Sequence, residues 1–199
     1  MQEGLKTAED LIVYAARVSN PSNQLNTETG AKLLRYCIQH GHWSVFETAS
    51  MTLEITTSRA ISAQLIRHRS FTFQEFSQRY AVATDFEPVE LRKQAQNNRQ
   101  SSSEIIEDEH CYTLLGEAFY RAETVYNDLL AAGVARECAR MVLPMATQTT
   151  LYMTGSVRSW IHYFQQRCSE HAQKEHRLIA EAARDIFNQQ FPTIAEALK

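Results

Sequence analysis

The sequence predicts an α/β chain in which helix exceeds strand, and three observations support this fold class. Most of the chain places apolar residues at the intervals of a helix face. One stretch, ASMTLEITT at 49–57, instead alternates between apolar and polar residues, as a half-buried strand does. A threonine-rich stretch, MATQTTLYMTG at 145–155, favours extended backbone. With 199 residues, 44% of them hydrophobic, the chain can bury a core of its own.

Two helices are predicted before the alternating strand. Apolar residues recur at helical spacing over 7–17, and the turn formers of SNPSNQ then interrupt the pattern. A second helix is predicted over 28–39, and Gly41 is suited to end it because glycine tolerates left-handed backbone. In the strand that follows, Met51 and Ile55 lie on the face predicted to be buried.

A short helix, an extended stretch and a loop are predicted next. Helical spacing returns after the strand and places the triplet RHR, residues 67–69, at a helix end. FTFQEFSQRYAV at 71–82 is aromatic and predicted to be largely extended. RKQAQNNRQSSSE at 92–104 is polar and poor in apolar residues, which predicts an exposed loop.

Helices are predicted for most of the C-terminal half. A long helix should run from about Glu104 to Ala132 and end at Gly133, and one or two helical turns should precede Pro144. Two final helices are predicted around SVRSWIHYFQQR and EHAQKEHRLIAEAARDIF. Because no repeat, linker or low-complexity tract interrupts the chain, we expect a single domain over residues 1–199.

Composition excludes several classes of function. The net charge of −3 gives no general positive field for nucleic acid, so any anion site must be local. No apolar run approaches the roughly 18 residues of a membrane span. The first ten residues lack a signal-peptide pattern, so we expect a cytoplasmic protein. The four cysteines are scattered, and neither GxGxxG nor GxxxxGK[ST] occurs.

Cations nevertheless gather at the RHR triplet, with Arg79 following closely and Arg140 and Arg167 on later helices. The guanidinium fork matches the oxygens of phosphate or carboxylate two at a time. Consecutive helical residues point about 100° apart, so three neighbouring cations cannot share one solvent face. At least one should point inward or into a partner chain. Spacing alone leaves an anion site and ordinary surface ion pairs equally open.

Metal binding and nucleophilic catalysis are both weakly indicated. His40 and His42 form HxH, and His171 and His176 lie five residues apart, but no HExxH or carboxylate pattern completes a ligand set. We therefore expect no metal site. No GxSxG motif occurs, and no cysteine lies in an activating context. Any chemistry should be carried by a cofactor.

RHRSFTFQEFSQRY at 67–80 has the form RHR, seven residues, then Ser77, and this form resembles the signature of the flavin-dependent thymidylate synthases. Further segments resemble that family in its order. They are AARVS (15–19), HGHWSVFE (40–47), AQLIRHR (63–69), ARECARMVLP (135–144), VRSWIHYFQQR (157–167) and SEHAQKEH (169–176). One motif could arise by chance, whereas six ordered segments could not.

The resemblance implies an α+β fold, helix-rich with a small, mostly antiparallel sheet and active sites at subunit interfaces. It implies a homotetramer that methylates dUMP to dTMP. The carbon would come from 5,10-methylenetetrahydrofolate, and the hydride from an FAD reduced by NADPH. The anions that these arginines would bind are the dUMP phosphate and the FAD pyrophosphate.

The resemblance also assigns residues, position by position. The positions that match dUMP contacts are Gln64, Arg67, Glu75, Ser77, Gln78, Arg79, Arg140 and Arg167. Those that match FAD contacts are His42, Ser44, Arg67, His68, Arg69, Ser70, Glu75, Ser156, Val157, Arg158, His162 and His171. Ser156 and His162 stand where the family often has asparagine.

Arg167 matches the arginine that polarises the uracil ring, and it is the catalytic residue that the resemblance implies. Carbon five of uracil is a poor nucleophile until negative charge develops on the ring. A guanidinium at that edge stabilises the charge as it forms, and one such donor contributes ~3 kcal/mol in other enzymes.

Two other classes of function compete with this enzyme. A nucleic-acid-binding module could use the 67–80 cluster with Phe71, Phe73 and Tyr80 as stacking groups, although the net charge of −3 argues against it. A helical scaffold without chemistry would treat Trp160 and its aromatic neighbours as core. It would not explain the arginines that flank them.

Overall fold

The computed structural model describes residues 5–82 and 84–199. The helices are α1 Ala8–Ala16, α2 Gly30–Gln39, α3 Arg59–Leu65, α4 Glu109–Ala131, α5 Arg136–Ala139, α6 Val157–Arg167, α7 Lys174–Gln190 and α8 Pro192–Ala197. The strands are β1 Ser50–Ser58, β2 Phe71–Glu75, β3 Arg92–Gln94, β4 Ser102–Ile105 and β5 Gln148–Ser156.

Three of the strands form a sheet in the order β1-β5-β2. Hydroxyl pairs join Thr52 to Thr154 at 2.8 Å and Thr56 to Thr150 at 3.2 Å, so β1 and β5 run antiparallel. β3 and β4 form a separate antiparallel pair. The predicted fold class, a helix-rich α+β chain with a small and mostly antiparallel sheet, is confirmed.

The chain divides into two compact units. Of the described residues, the first contains 5–53, Arg69–Thr72 and Met153–Lys199. Its core is aromatic, and Trp160 and Phe187 are fully buried there. The buried Glu9 accepts a hydrogen bond from the backbone N–H of Ile194 at 2.8 Å, which ties α1 to α8 and satisfies a carboxylate that would be costly to bury alone.

The second unit contains Glu54–His68 and, among the described residues after Phe73, 73–82 and 84–152. Glu87 lies at the start of α3, where one carboxylate oxygen accepts the backbone N–H of Ser58 at 2.8 Å. A carboxylate at this end of a helix is favourable because the first N–H groups have no partner within the helix. α4 is the longest helix, and of its 23 residues only Tyr126 is buried.

Most of the predicted elements are present. β1 alternates as expected. Met51 and Ile55 are buried and Leu53 on the same face is half-buried, whereas Thr52 and Glu54 on the other face are exposed. Gly41 and Gly133 both have positive φ just beyond α2 and α4, as their predicted capping roles require. The prediction of one domain over 1–199 stays a prediction.

Four predictions about local structure were wrong. The stretch 71–82, expected to be largely extended, forms a strand only over Phe71–Glu75, and a turn follows it. The exposed stretch 92–104, expected to be a loop, contains β3 and most of β4. The long helix begins only at Glu109, because β4 occupies Ser102–Ile105 and Asp108 caps the helix by accepting the backbone N–H of His110. A further helix, α8, follows α7 directly, with Pro192 in its first turn, where the missing N–H of proline costs nothing.

Candidate active site

The RHR triplet leaves α3 through a turn. The backbone N–H groups of Arg67 and His68 donate to the carbonyls of Gln64 and Leu65 at 3.4 and 3.0 Å, so the chain is still curled there. Arg67 and Arg69 are exposed, and His68 is half-buried. The expected inward-pointing member of the triplet is therefore the histidine.

Neither arginine of the triplet has an ionic partner within the part of the chain that the structure describes. Among residues 5–82 and 84–199, no carboxylate lies within 4.0 Å of Arg67 or Arg69. Other arginines are paired at short distances, as Arg59 is with Glu75 at 2.8 Å and Arg158 is with Glu47 at 2.5 Å. The triplet thus presents two guanidinium groups whose charge no described carboxylate neutralises at short range.

Glu75, at the end of β2, is held by three donors in the second unit. Its Oε1 accepts hydrogen bonds from Arg59 at 2.8 Å, from the Ser62 hydroxyl at 2.5 Å and from the Thr149 hydroxyl at 3.1 Å. Gln64, half-buried, lies in the last turn of α3. Sequence reasoning identified Glu75 and Gln64 but none of these three donors.

The residues after β2 form a compact turn. The backbone N–H of Tyr80 donates to the carbonyl of Ser77 at 3.0 Å. Ser77 is half-buried, and Gln78 is only 6% exposed. The Nε2 of Gln78 is buried without a hydrogen-bond acceptor among the described residues, which leaves an amide donor unused in the turn.

Glu137 brings two of the predicted arginines together. Arg79 lies 3.5 Å from its carboxylate, and the Nε of Arg140 donates to its backbone carbonyl at 3.4 Å. The Arg79–Glu137 pair is more than half exposed on both sides, so it holds Arg79 weakly. Arg140 is half-buried in the turn after α5.

In the first unit, three serine residues meet at the start of α6. Ser156 caps the helix, and its hydroxyl accepts the backbone N–H of Ser159 at 3.2 Å. The hydroxyl of Ser159 donates in turn to the carbonyl of Ser70 at 3.0 Å. The residue that follows the RHR triplet is thereby fixed to the helix that carries Val157, which is buried, and Arg158.

His162 and Arg158 share this end of α6. The His162 ring meets the edge of Trp43, with ring centres 4.5 Å apart. Burial lowers the pKa of His162, and the neighbouring Arg158 guanidinium lowers it further. This histidine is therefore more easily kept neutral than an exposed one.

The remaining predicted residues of the first unit lie near the 3-10 helix Trp43–Glu47, at the end of α6 and in the turn after α6. Ser44 and His42 are exposed within and just before the short 3-10 helix Trp43–Glu47. Arg167 ends α6, half-buried, beside Tyr163, whose pKa burial raises while Arg167 opposes the shift. His171 is exposed in the turn between α6 and α7, where its backbone N–H donates to the Ser169 hydroxyl at 3.3 Å.

One cavity of the first unit is not lined by the predicted site residues. A cavity of about 600 Å³ lies in the first unit between α6, α7 and α8, but no predicted site residue lines it. Within 5–82 and 84–199, no three His, Cys, Asp or Glu residues are grouped as metal ligands would be. No helix in that part of the chain is both long and apolar enough to cross a membrane.

Comparison with known proteins decides the family. A family model described as "Thymidylate synthase complementing protein" matches residues 3–193. The chain belongs to this family. The resemblance to flavin-dependent thymidylate synthases noted from the RHR motif is confirmed.

Curated relatives match nearly all of the chain. A "Flavin-dependent thymidylate synthase" of Synechocystis sp. is 53% identical over 96% of this chain and 89% of its own length. A Paramecium bursaria Chlorella virus 1 protein named "Probable flavin-dependent thymidylate synthase" is 52% identical over 98% of this chain and 93% of its own.

A solved structure with similar architecture carries a related name. The UMP/dUMP methylase PolB from Streptomyces cacaoi, bound with 5-Br dUMP, is 30% identical and superposes with a TM-score of 0.85. The match covers 96% of this chain and 90% of that one.

Proposed function

We propose that the protein is a flavin-dependent thymidylate synthase that converts dUMP to dTMP. It takes its carbon from 5,10-methylenetetrahydrofolate and its reducing equivalents from NADPH through bound FAD. Relatives of 52% and 53% identity carry the name of this activity. The observation in the structure that supports it best is the pair of exposed guanidinium groups, Arg67 and Arg69, without ionic partners among the described residues.

The donor set fits FAD chemically. A pyrophosphate needs exposed cations and hydroxyl or N–H donors, and the RHR triplet, Ser70 and Ser44 supply these. We propose that these residues, with His42, Val157 and His171, hold FAD together with Ser156, Arg158 and His162. When bound, FAD supplies the two-electron chemistry of the reaction.

Two of the chain's four thiols are poorly suited to replace a cofactor. Burial raises the pKa of Cys37 and of Cys168, so the reactive thiolate of each is scarce near neutral pH. A mechanism that uses an attacking cysteine would need a thiol whose pKa is lowered.

The second unit supplies donors suited to a nucleotide. Arg79 and Arg140 both contact Glu137, and only a weak, exposed ion pair competes for Arg79. We therefore propose that they bind the dUMP phosphate, with the turn residues Ser77 and Gln78. The unused Nε2 donor of Gln78 and the carboxylate of Glu75 give further polar groups for dUMP. We also assign Gln64 and Arg67 to dUMP.

Arg167 is proposed to act on the uracil ring. Its guanidinium stays charged at any working pH and can stabilise negative charge that develops on the ring oxygen and nitrogen. Its half-buried position at the end of α6 lowers the effective dielectric constant around it, which strengthens such an interaction.

We infer that the active protein is a homotetramer whose subunits cover α4. This helix has one buried residue in 23, and it exposes Tyr112, Leu114 and Tyr120. Helices in proteins gain most of their stability by packing an apolar face against other elements, so we expect a partner subunit to cover α4. The exposed site arginines suit the same arrangement, since an interface would complete their surroundings.

Light scattering after size exclusion tests the tetramer. We expect a mass of about four times 22.8 kDa. Tyr120→Glu, at a position 72% exposed in one chain, should lower the mass by placing a charge in the interface. Val18→Glu, at a position 68% exposed, is the matched control and should leave the mass unchanged. A monomer from the unaltered protein would refute the inference.

An absorption spectrum tests the function. We expect the purified protein, reconstituted with FAD, to show flavin bands that shift on addition of dUMP and bleach on anaerobic addition of NADPH. A protein that retains no flavin, or whose flavin is unaffected by both compounds, would overturn the proposal. The cytoplasmic location and the absence of nucleic-acid and membrane partners stay predictions.

A further inference from the structure

One oxygen of Glu75 accepts all the hydrogen bonds made by this carboxylate. Arg59, Ser62 and Thr149 donate to Oε1 at 2.8, 2.5 and 3.1 Å. No donor among residues 5–82 and 84–199 reaches Oε2. The carboxylate is thus fixed through one oxygen, and the other is left to accept from something else.

Two of the three donors are buried more deeply than the acceptor, while the Arg59 side chain is 32% exposed. Ser62 and Thr149 are 2% and 3% exposed, whereas the Glu75 side chain keeps 22% of its surface open. Arg59 is anchored by its own backbone, whose N–H donates to the Thr147 carbonyl at 2.9 Å. The two buried hydroxyls and the Arg59 guanidinium therefore hold Oε1 of Glu75 together.

The positive charge of Arg59 also affects how Glu75 can interact with an anionic nucleotide. A lone carboxylate would repel an anionic nucleotide, because like charges at close range disfavour binding. Arg59 neutralises Glu75 at 2.8 Å, so the pair can offer an acceptor oxygen without adding net negative charge. Two neutral hydroxyls alone would not do this.

We propose that Arg59 is a positioning residue that acts through Glu75, with Ser62 and Thr149 as its helpers. It holds Oε1 so that Oε2 faces dUMP and accepts a hydrogen bond from it. This inference rests on the proposed function, since it assumes that dUMP binds at Glu75. Arg59 itself does not touch the nucleotide.

A double-mutant cycle on dUMP binding tests the proposal. The dissociation constant for dUMP is measured by calorimetry on FAD-loaded protein for the parent, Arg59→Gln, Glu75→Gln and the double variant. We expect Arg59→Gln to weaken binding about tenfold, of the order of one hydrogen bond to a charged group. In the Glu75→Gln background the same change should alter the constant by less than about twofold, because its target is gone.

Further variants separate positioning from a general structural role. Arg59→Lys keeps the charge and should restore most of the affinity. Arg99→Gln, which changes an exposed arginine in the β3–β4 connection, is the matched control and should have no effect. Should Arg59→Gln fail to fold, Ser62→Ala removes one donor to Oε1 without a change in charge. It should show a smaller loss, also abolished by Glu75→Gln.

The outcomes are distinct. An equal loss from Arg59→Gln in both backgrounds would mean that Arg59 supports the fold and not Glu75, and it would overturn the proposal. Unchanged affinity in the single variant would do the same. A parent protein that binds FAD but no dUMP would instead overturn the proposed function, and the positioning role with it.

Discussion

Gly155 is the position where one added methyl group should have the largest effect on the segment that carries the RHR triplet. It lies on β5, against the ring of Phe71 at the start of β2. A Cβ at this position would lie 2.4 Å from both Cδ1 and Cε1 of that ring and 3.3 Å from its Cγ. Normal carbon contacts are about 3.5–4.0 Å, so Gly155→Ala overlaps the ring by more than about 1 Å.

The ring has little room to move away. Phe71 is 7% exposed, and its ring centre lies 4.9 Å from that of Trp160 and 5.8 Å from that of Tyr163. Overpacking of this kind costs about 1–3 kcal/mol, and the immobile neighbours place Gly155→Ala toward the upper end. For a chain of this size, 2–3 kcal/mol corresponds to a fall in melting temperature of about 4–12 °C.

Thermal melts at equal protein concentration, together with FAD affinity, measure the effect. FAD should bind more weakly, because Ser70 and Arg69 directly precede the displaced ring. The added variant Phe71→Leu should relieve the overlap, so the double variant should lose less stability than the sum of the single losses. A melting temperature for Gly155→Ala within about 1 °C of the parent would refute the reasoning, since the predicted loss is several times larger.

Three further outcomes are expected. Arg167→Ala should lower turnover at least about hundredfold while FAD stays bound; normal turnover would remove Arg167 from its catalytic role. Because the pKa of His162 is lowered in the folded protein, the unfolded chain binds a proton at this histidine before the folded chain does as the pH falls below the ordinary value of 6.5, and this favours unfolding. Between pH 7 and pH 5, the melting temperature of His162→Asn should therefore fall less than that of the parent. An identical loss would contradict that. Tyr126→Phe removes a buried hydroxyl that has no hydrogen-bond partner among the described residues, and denaturant unfolding should show a stability equal to that of the parent or up to about 1 kcal/mol greater. A clear loss of stability would contradict this.

Periodicity predicted the elements that bury one face. β1 has a buried and an exposed face, so its sequence alternates, and α2 buries Leu34 and Cys37 at helical spacing. The β3–β4 pair buries almost nothing. Polar contacts hold it, such as Lys93 to Glu104 at 3.0 Å, and these leave no hydrophobic pattern for a sequence to reveal.

The site was predictable only as far as the motif reached. The RHR triplet and Ser77 lie in one short segment, so their association could be read from the sequence. The donors to Glu75 could not, because Thr149 reaches it from 74 positions away through strand pairing. Likewise, Glu47 lies 111 positions from its partner Arg158, and nothing in either local sequence specifies the contact.

Product formation tests the proposed activity most directly. FAD-loaded protein is incubated without oxygen with dUMP, 5,10-methylenetetrahydrofolate and NADPH, and nucleotides are separated by chromatography. We expect dTMP to accumulate, and to disappear from the products when any one of FAD, the folate or NADPH is omitted. Protein that binds both FAD and dUMP yet forms no dTMP would contradict the assignment of these residues to thymidylate synthesis.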